Sequence, residues 1–310
     1  MSTAPVRVVG LGMACLDILV RAHELPTWQH GARLEGLAIE GGGPAATALV
    51  AAQRLGVQTG FVGTYGSDRL GQIKLQTLTE HGVDVSRAVQ RPGPENQAIL
   101  VAVHAGTGER YFSGFNCPAC PPLGVEELDR EYITTADVLH LDGMHVEAAL
   151  QAAAWMRAAG KPVMLDGTAT RGPVSETVQA LVRLADILIC GSGFGPALTG
   201  QADLWAAGEA ILAWGPRVVV QTEGAGGSYT VTPTERFHTP AFPVEVVDTT
   251  GAGDVFHGAY LFGLLQGWDV RRIVRFSTAV AAIKCTRLGG RPGIPTYEET
   301  CRFLAEREAA

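Results

Sequence analysis

Val247-Asp248-Thr249-Thr250-Gly251-Ala252-Gly253-Asp254 runs directly into Val255-Phe256-His257-Gly258-Ala259-Tyr260. The first half ends in small residues that leave the backbone uncovered. The second half starts an apolar helical pattern, with Phe256, Ala259, Tyr260, Gly263 and Leu264 on one face. A helix N-terminus offers unpaired N–H groups and a partial positive charge, so it suits an anion. Asp254 falls in the first turn. A carboxylate there ordinarily caps the helix, but beside an anion site it can act as a base. The stretch therefore suggests a transferring phosphate held on backbone N–H groups, with Asp254 taking a proton from an attacking hydroxyl.

Working outward, the chain reads as alternating strands and helices. Strands are expected at 138–141, 162–166, 186–190 and 217–222, with helices at 146–159, 174–184 and 204–213 between them. Such alternation argues for a parallel, doubly wound sheet covered on both faces. A late hairpin is expected over 224–231 and 236–238. The helix after Asp254 follows, then a helix at 273–285 and a polar one from Tyr297. Upstream, 6–12 and 58–65 read as strands and 70–81 as a helix. Gly41-Gly42-Gly43-Pro44 breaks the chain ahead of a helix rich in alanine at 45–55. Triple glycine there permits close backbone approach to a ligand. Asp17, embedded in Leu16–Val20, follows a strand end and a glycine turn, where ligand-facing residues occur. The remaining β-rich pieces, at about 13–40 and 95–115, need not join the main sheet. The expected organisation is one α/β domain over 1–310 carrying a small β-sheet lid made from those two pieces.

Bulk properties narrow the class. Apolar residues make up 46% and charged residues 18%, enough for a large core and too little charge for disorder. A net charge of −7 without a basic run disfavours a nucleic-acid or anionic-membrane surface. No apolar run is long enough to span a membrane, and Met1–Pro5 lacks a signal pattern, so a cytoplasmic protein is expected. Cys117 and Cys120 have CxxC spacing, but no second pair or histidine pair completes a zinc site. A P-loop, a G-x-G-x-x-G fingerprint after a strand, a Gly-x-Ser-x-Gly elbow and a His-Glu-x-x-His helix are all absent.

Asp248-Thr249-Thr250-Gly251-Ala252-Gly253-Asp254 resembles the second signature of the ribokinase-like (PfkB) carbohydrate kinases, and Gly42-Gly43 with the helix to Leu55-Gly56 resembles their first. Gly41–Thr47, Val247–Ala259, Lys284–Arg287, Gly289-Gly290-Arg291 and Gly293-Ile294-Pro295 resemble the sulfofructose kinase branch. The resemblance implies a three-layer α/β/α fold, mostly parallel, with a β-sheet lid. It implies transfer of the γ-phosphoryl group of ATP to a primary hydroxyl of a sugar, a ketose or a sulfofructose-like one. Asp254 would be the base and Gly251, Ala252 and Gly253 the N–H donors. Asp17, Gly42, Gly43, Thr47 and Arg110 would bind the acceptor. Thr222, Gly224 and Gly227, with Gly251 and Gly253, would bind the nucleotide. Mg²⁺ would accompany ATP, a monovalent cation is left open, and two copies would pair through their lids. Thr47 stands where the family usually has Asn. Gly191 and Phe194 stand where it has the Asn and Glu that help organise Mg²⁺; Asp166 and Glu223 are the nearest replacements. Other acceptors (a nucleoside, 2-keto-3-deoxygluconate, a fructose phosphate) and a non-catalytic sugar sensor stay open as alternatives.

Overall fold

The computed structural model describes residues 5–114, 121–170 and 172–308, so the CxxC pair lies outside the described residues. The amino-terminal half contains β1 (Val8–Leu11), β2 (Cys15–Ala22), β3 (Gly36–Gly42), α1 (Pro44–Arg54), β4 (Thr59–Val62), β5 (Thr64–Gly66), α2 (Arg69–Thr79), β6 (Val89–Arg91), β7 (Ala98–His104) and β8 (Arg110–Gly114). Next come α3 (Arg130–Thr135), β9 (Val138–Leu141), α4 (Val146–Ala158), β10 (Val163–Gly167), α5 (Glu176–Leu184), β11 (Ile187–Cys190), α6 (Phe194–Thr199), α7 (Leu204–Leu212) and β12 (Val218–Thr222). The chain closes with β13 (Ser228–Val231), β14 (Arg236–Thr239), α8 (Ala252–Leu265), α9 (Val270–Lys284) and α10 (Tyr297–Glu308).

An eight-stranded sheet runs β14-β13-β12-β11-β10-β9-β1-β4. It is parallel from β4 to β12, and the β13–β14 hairpin extends it antiparallel. The parallel strands are short apolar runs such as Val8–Leu11 and Ile187–Cys190, buried at every position, as a sheet covered on both faces requires. Two apolar clusters do the covering. One joins the sheet to α1, α8 and α9 through Leu49, Val50, Val255, Tyr260 and Val274. The other joins it to α4, α5 and α7 through Ala149, Ala152, Leu181 and Ile211. This is the ribokinase-like α/β architecture, with a separate smaller sheet.

The alanines of α1 have a structural cause. A Cβ on Gly258 of α8 would lie 3.0 Å from the Ala52 nitrogen of α1. Only small residues let the two backbones come so close. A larger side chain at 258 would overpack this crossing, at a cost of about 1–3 kcal/mol, and would shift the start of α8, which carries the site.

The smaller sheet runs β3-β2-β7-β8, with β2 and β7 parallel and the outer pairs antiparallel. Its strands come from the two segments set apart in the sequence. Several local expectations change. The expected strand 58–65 divides into β4 and β5, and β5 pairs with β6 in a two-stranded sheet of its own. The Gly191–Gly195 run opens α6: Gly193 takes φ 82° and the helix begins at Phe194. The expected hairpin segment 224–231 begins with a 3-10 turn, and pairing starts at Ser228. α9 starts at Val270, three residues earlier than its apolar pattern, because Asp269 caps it by accepting from the Arg272 N–H at 3.0 Å.

Candidate active site

The turn before α8 is built around Asp248, which is fully buried. Its Oδ1 accepts from the Thr250 N–H at 2.8 Å and from the Thr250 hydroxyl at 2.7 Å, and its Oδ2 from the Gly289 N–H at 2.8 Å. Burial alone would raise this carboxyl, but Lys284 and these hydrogen bonds outweigh it and hold the group below its ordinary value. The turn leaves Gly251 at φ 73°, with a would-be Cβ 3.0 Å from the Gly290 Cα, so only glycine fits. α8 then starts at Ala252.

The donors at this helix start are not equivalent. The Ala252 N–H turns back to the Thr249 carbonyl at 3.2 Å. Gly251, Gly253 and Asp254 have no backbone acceptor among the described residues, and a Cβ on Gly253 would meet nothing within 4 Å. The open N–H groups at this helix start are thus those of 251, 253 and 254. Ala252, expected as a donor, is engaged within the turn.

Asp254 is half-buried and accepts no hydrogen bond among the described residues, so it does not cap its helix. Burial, followed by the nearby Asp142 and Asp17 charges, pushes its carboxyl up to about 6, against Lys284 and Arg291. A carboxylate titrating there is ionised at neutral pH and basic enough to accept a proton.

The residues expected to bind the acceptor meet at the join between the two sheets. Asp17, buried on β2, accepts from the Cys15 thiol at 3.2 Å, and a side chain on Gly42 would run into its carboxylate. Burial raises the Asp17 carboxyl. Gly43 takes φ 92° to turn from β3 into α1; a Cβ there would lie 2.8 Å from the Ala14 Cα. Thr47 is buried one turn into α1. Asp142, at the carboxyl end of β9, accepts from the N–H groups of Met13 (2.7 Å), Ala45 (3.2 Å) and Met144 (3.0 Å). It thereby fixes the β1–β2 loop and the start of α1 on the end of the main sheet.

Arg291 completes this floor, and sequence reasoning gave it no role of its own. It is buried, and its guanidinium donates to the Thr47 hydroxyl (3.3 Å), the Thr77 carbonyl (3.2 Å), the Thr77 hydroxyl (3.0 Å) and the Gly42 carbonyl (2.9 Å). Burial lowers its pKa to about 10, so it remains charged at neutral pH.

Arg110 is exposed on β8 and donates to the Thr249 hydroxyl, joining the smaller sheet to the anion turn. Thr222 ends β12, its hydroxyl bonded to the Cys190 carbonyl at 3.2 Å. Gly224 (φ 54°) and Gly227 (φ 81°) form the turn that follows. Asp142, Asp166 and Thr222 all lie at the carboxyl edge of the parallel strands, where open α/β sheets bind ligands.

A family model described as "pfkB family carbohydrate kinase" matches residues 8–297. The chain belongs to that family. It is a carbohydrate kinase. Among curated relatives it is 29% identical to the ATP-dependent ribose-1-phosphate kinase of Halopiger xanaduensis, over 97% of this chain and 99% of that protein. It is 28% identical to the 5-dehydro-2-deoxygluconokinase of Shouchella clausii, over 97% and 96%. Among solved structures it resembles a putative ribokinase from Agrobacterium tumefaciens, with a TM-score of 0.88 and 27% identity over 99% of this chain and 100% of that one.

At Gly191 a Cβ would lie 2.8 Å from the Ala169 Cβ, and Phe194 is buried in a core cluster. The positions of the usual Asn and Glu are therefore filled by packing. Glu223 instead accepts from the Ser192 hydroxyl at 2.7 Å. Burial raises the Asp166 carboxyl well above its ordinary value, helped by Asp254 and Asp142. His257 is buried on α8, 3.7 Å from Asp166 and stacked edge-on against His140. His145 starts α4 at φ 50° and accepts from the Leu123 N–H at 3.0 Å, a structural role. Lys284 is fully buried and donates to the Asp248 carbonyl.

Proposed function

We propose that this kinase transfers the γ-phosphoryl group of ATP to a primary hydroxyl of a sugar, with Asp254 as the general base. The observation that carries the reading is a carboxylate poised near neutrality in the same helix turn as the open Gly251 and Gly253 N–H groups. In this reading the acceptor is held by Asp17, the Gly42-Gly43 backbone and Thr47. Asp254 takes the hydroxyl proton as the oxygen attacks phosphorus in line. Charge building on the γ-phosphoryl oxygens and the departing ADP is met by preorganised N–H donors, each worth about 3 kcal/mol of barrier in comparable sites. Thr222, Gly224 and Gly227 receive the nucleotide at the sheet's carboxyl edge.

Among the described residues no group of three or more His, Cys, Asp or Glu side chains is placed to hold a metal ion. The chain therefore suits Mg²⁺ that arrives on the nucleotide phosphates and keeps most of its waters, neutralising phosphate charge; Asp166 and Glu223 are the side chains nearest to hand for water-mediated contact.

The smaller sheet is read as a lid on one kinase domain. Its outer face exposes Leu37 (67%), Ile39 (58%) and Tyr111 (42%), an apolar surface that favours pairing of two lids in a homodimer. Among the described residues no helix is long and apolar enough to cross a membrane, and the proposed setting is the cytoplasm. The acceptor is read as a ketose, sulfofructose-like sugars included, because the branch motifs around Gly41–Thr47 and Gly289–Arg291 pack together through Arg291.

The test is ADP release measured across fructose, sulfofructose, ribose, ribose 1-phosphate, 2-keto-3-deoxygluconate and nucleosides. Turnover on a ketose supports the full reading. Turnover on a different acceptor class changes the substrate and keeps the chemistry. Thermal stabilisation by a sugar with no ADP release from any of them would identify a sensor instead.

A further inference from the structure

Lys284 ends α9 with its side chain turned inward, fully removed from solvent. A buried ammonium is costly unless its charge and its N–H groups are used. Its hydrogen bond goes to a backbone carbonyl, that of Asp248, at 2.9 Å. Among the described residues no carboxylate oxygen lies within ion-pair distance of it: the Asp248 carboxylate is turned away to Thr250 and Gly289. The surrounding backbone is closed. The Cys285 carbonyl accepts from the N–H groups of Val247 (2.9 Å) and Asp248 (3.2 Å), and a Cβ on Gly293 would run into the Lys284 carbonyl. Burial lowers the Lys284 pKa while Asp248 and Asp254 raise it, so its charge is felt at the base.

In its charged form, which Asp248 and Asp254 favour, the amine is thus locked onto the peptide that launches the anion turn, three residues before Gly251. Fixed charge of this kind lowers the energy of an incoming phosphate and needs no reorganisation when the phosphate arrives. A lysine used only to fill space could be replaced by methionine without loss. One used as a cation on a carbonyl oxygen could be replaced only by another cation.

We propose that Lys284 is a built-in monovalent cation for the phosphate-binding turn, a positioning residue that holds the Asp248 carbonyl and charges the site from beneath. The kinase then needs no added monovalent cation, and shortening Lys284 opens a vacancy that a small cation can fill. The inference rests on the anion turn receiving the phosphates of ATP, as in the reading above.

The experiment compares wild type, Lys284→Ala and Lys284→Met. Mg-ATP binding is measured by calorimetry, and ADP release with an accepted sugar, in tetramethylammonium chloride and then in ammonium or potassium chloride at equal ionic strength. Wild type is expected to be indifferent to the cation, within about twofold. Lys284→Ala should bind Mg-ATP about tenfold more weakly in tetramethylammonium and turn over about 30-fold more slowly. Ammonium or potassium should restore most of both losses. Lys284→Met, its space filled, should show the losses without the rescue. Activation of wild type more than fivefold by potassium or ammonium would overturn the proposal, as would an alanine variant that folds and shows no rescue. The wild-type series decides the matter even if both variants fail to fold. Binding of Mg-ATP without turnover on any sugar would count against the kinase reading and leave the cation result legible.

Discussion

Arg110, on the edge strand of the smaller sheet, donates a hydrogen bond to the Thr249 hydroxyl, two residues ahead of the glycine that opens the anion turn. Arg110 belongs to the smaller sheet and Thr249 to the loop before α8, and the two are 139 residues apart. The contact latches the proposed lid to the loop that would hold the transferring phosphate. Because Arg110 is exposed, the latch should contribute little to folding. Arg110→Ala is expected to melt within about 2 °C of wild type. Its kcat/KM should fall about tenfold, a loss of about 1.4 kcal/mol of transition-state binding. Melting curves and steady-state kinetics on one preparation check both halves.

Arg291 ties the floor of the proposed acceptor site to α2 and to the end of β3. Arg291→Met would leave the carbonyls of Gly42 and Thr77 unpaired in the interior. A loss of about 3 kcal/mol in urea unfolding is expected. KM for the acceptor should rise at least about tenfold, with KM for ATP unchanged. Equal rises in both constants would show that Arg291 supports the fold in general and not the acceptor floor.

Asp248 satisfies three donors from inside the protein. Asp248→Ala should cost about 3 kcal/mol and abolish the turn at Gly251. The sign of its pH dependence follows from its lowered pKa. A carboxyl held below its unfolded value contributes stability that is present above that value and lost as pH falls through the folded one. Wild type should therefore lose stability in acid faster than Asp248→Ala, measured by denaturation from pH 7 to pH 3.

Asp254 has the opposite sign. Its carboxyl sits at about 6, above its ordinary range, so the folded protein holds that proton more tightly than the unfolded chain does. Its ionisation works against folding: stability falls as pH rises through the window between the ordinary carboxylate value and about 6, then levels. The same titration should appear as the acid limb of kcat/KM, rising with pH and turning near 6. At pH 7.5 Asp254→Asn should melt above wild type while losing activity, as expected of a charge retained for function.

Much of the fold is legible in the chain because its signals are local. Apolar runs such as Val8–Leu11 and Ile187–Cys190 are bounded by turns, and Gly251 and Gly43 mark two of the bends that take positive φ. β6 escapes notice, and β5 merges with β4 into one expected strand, because three residues are too few to show a period. Arg291 escapes for a different reason. Its partners Thr47 and Thr77 lie 244 and 214 residues away, and no pattern along the chain carries that contact. Lys284 finds its partner, the Asp248 carbonyl, 36 residues back along the chain, and no local pattern carries that contact either. Ala252 reads as an anion donor until the tightness of the turn shows its N–H bonded to Thr249.

The central claim is that Asp254 takes the acceptor's proton. Its most direct test is single-turnover phosphoryl transfer by Asp254→Asn, with Mg-ATP affinity measured on the same sample by calorimetry. The account predicts nucleotide binding within about threefold of wild type and a transfer rate reduced about 10³-fold, within the range by which positioned bases accelerate proton transfer. A transfer rate within about tenfold of wild type would contradict it.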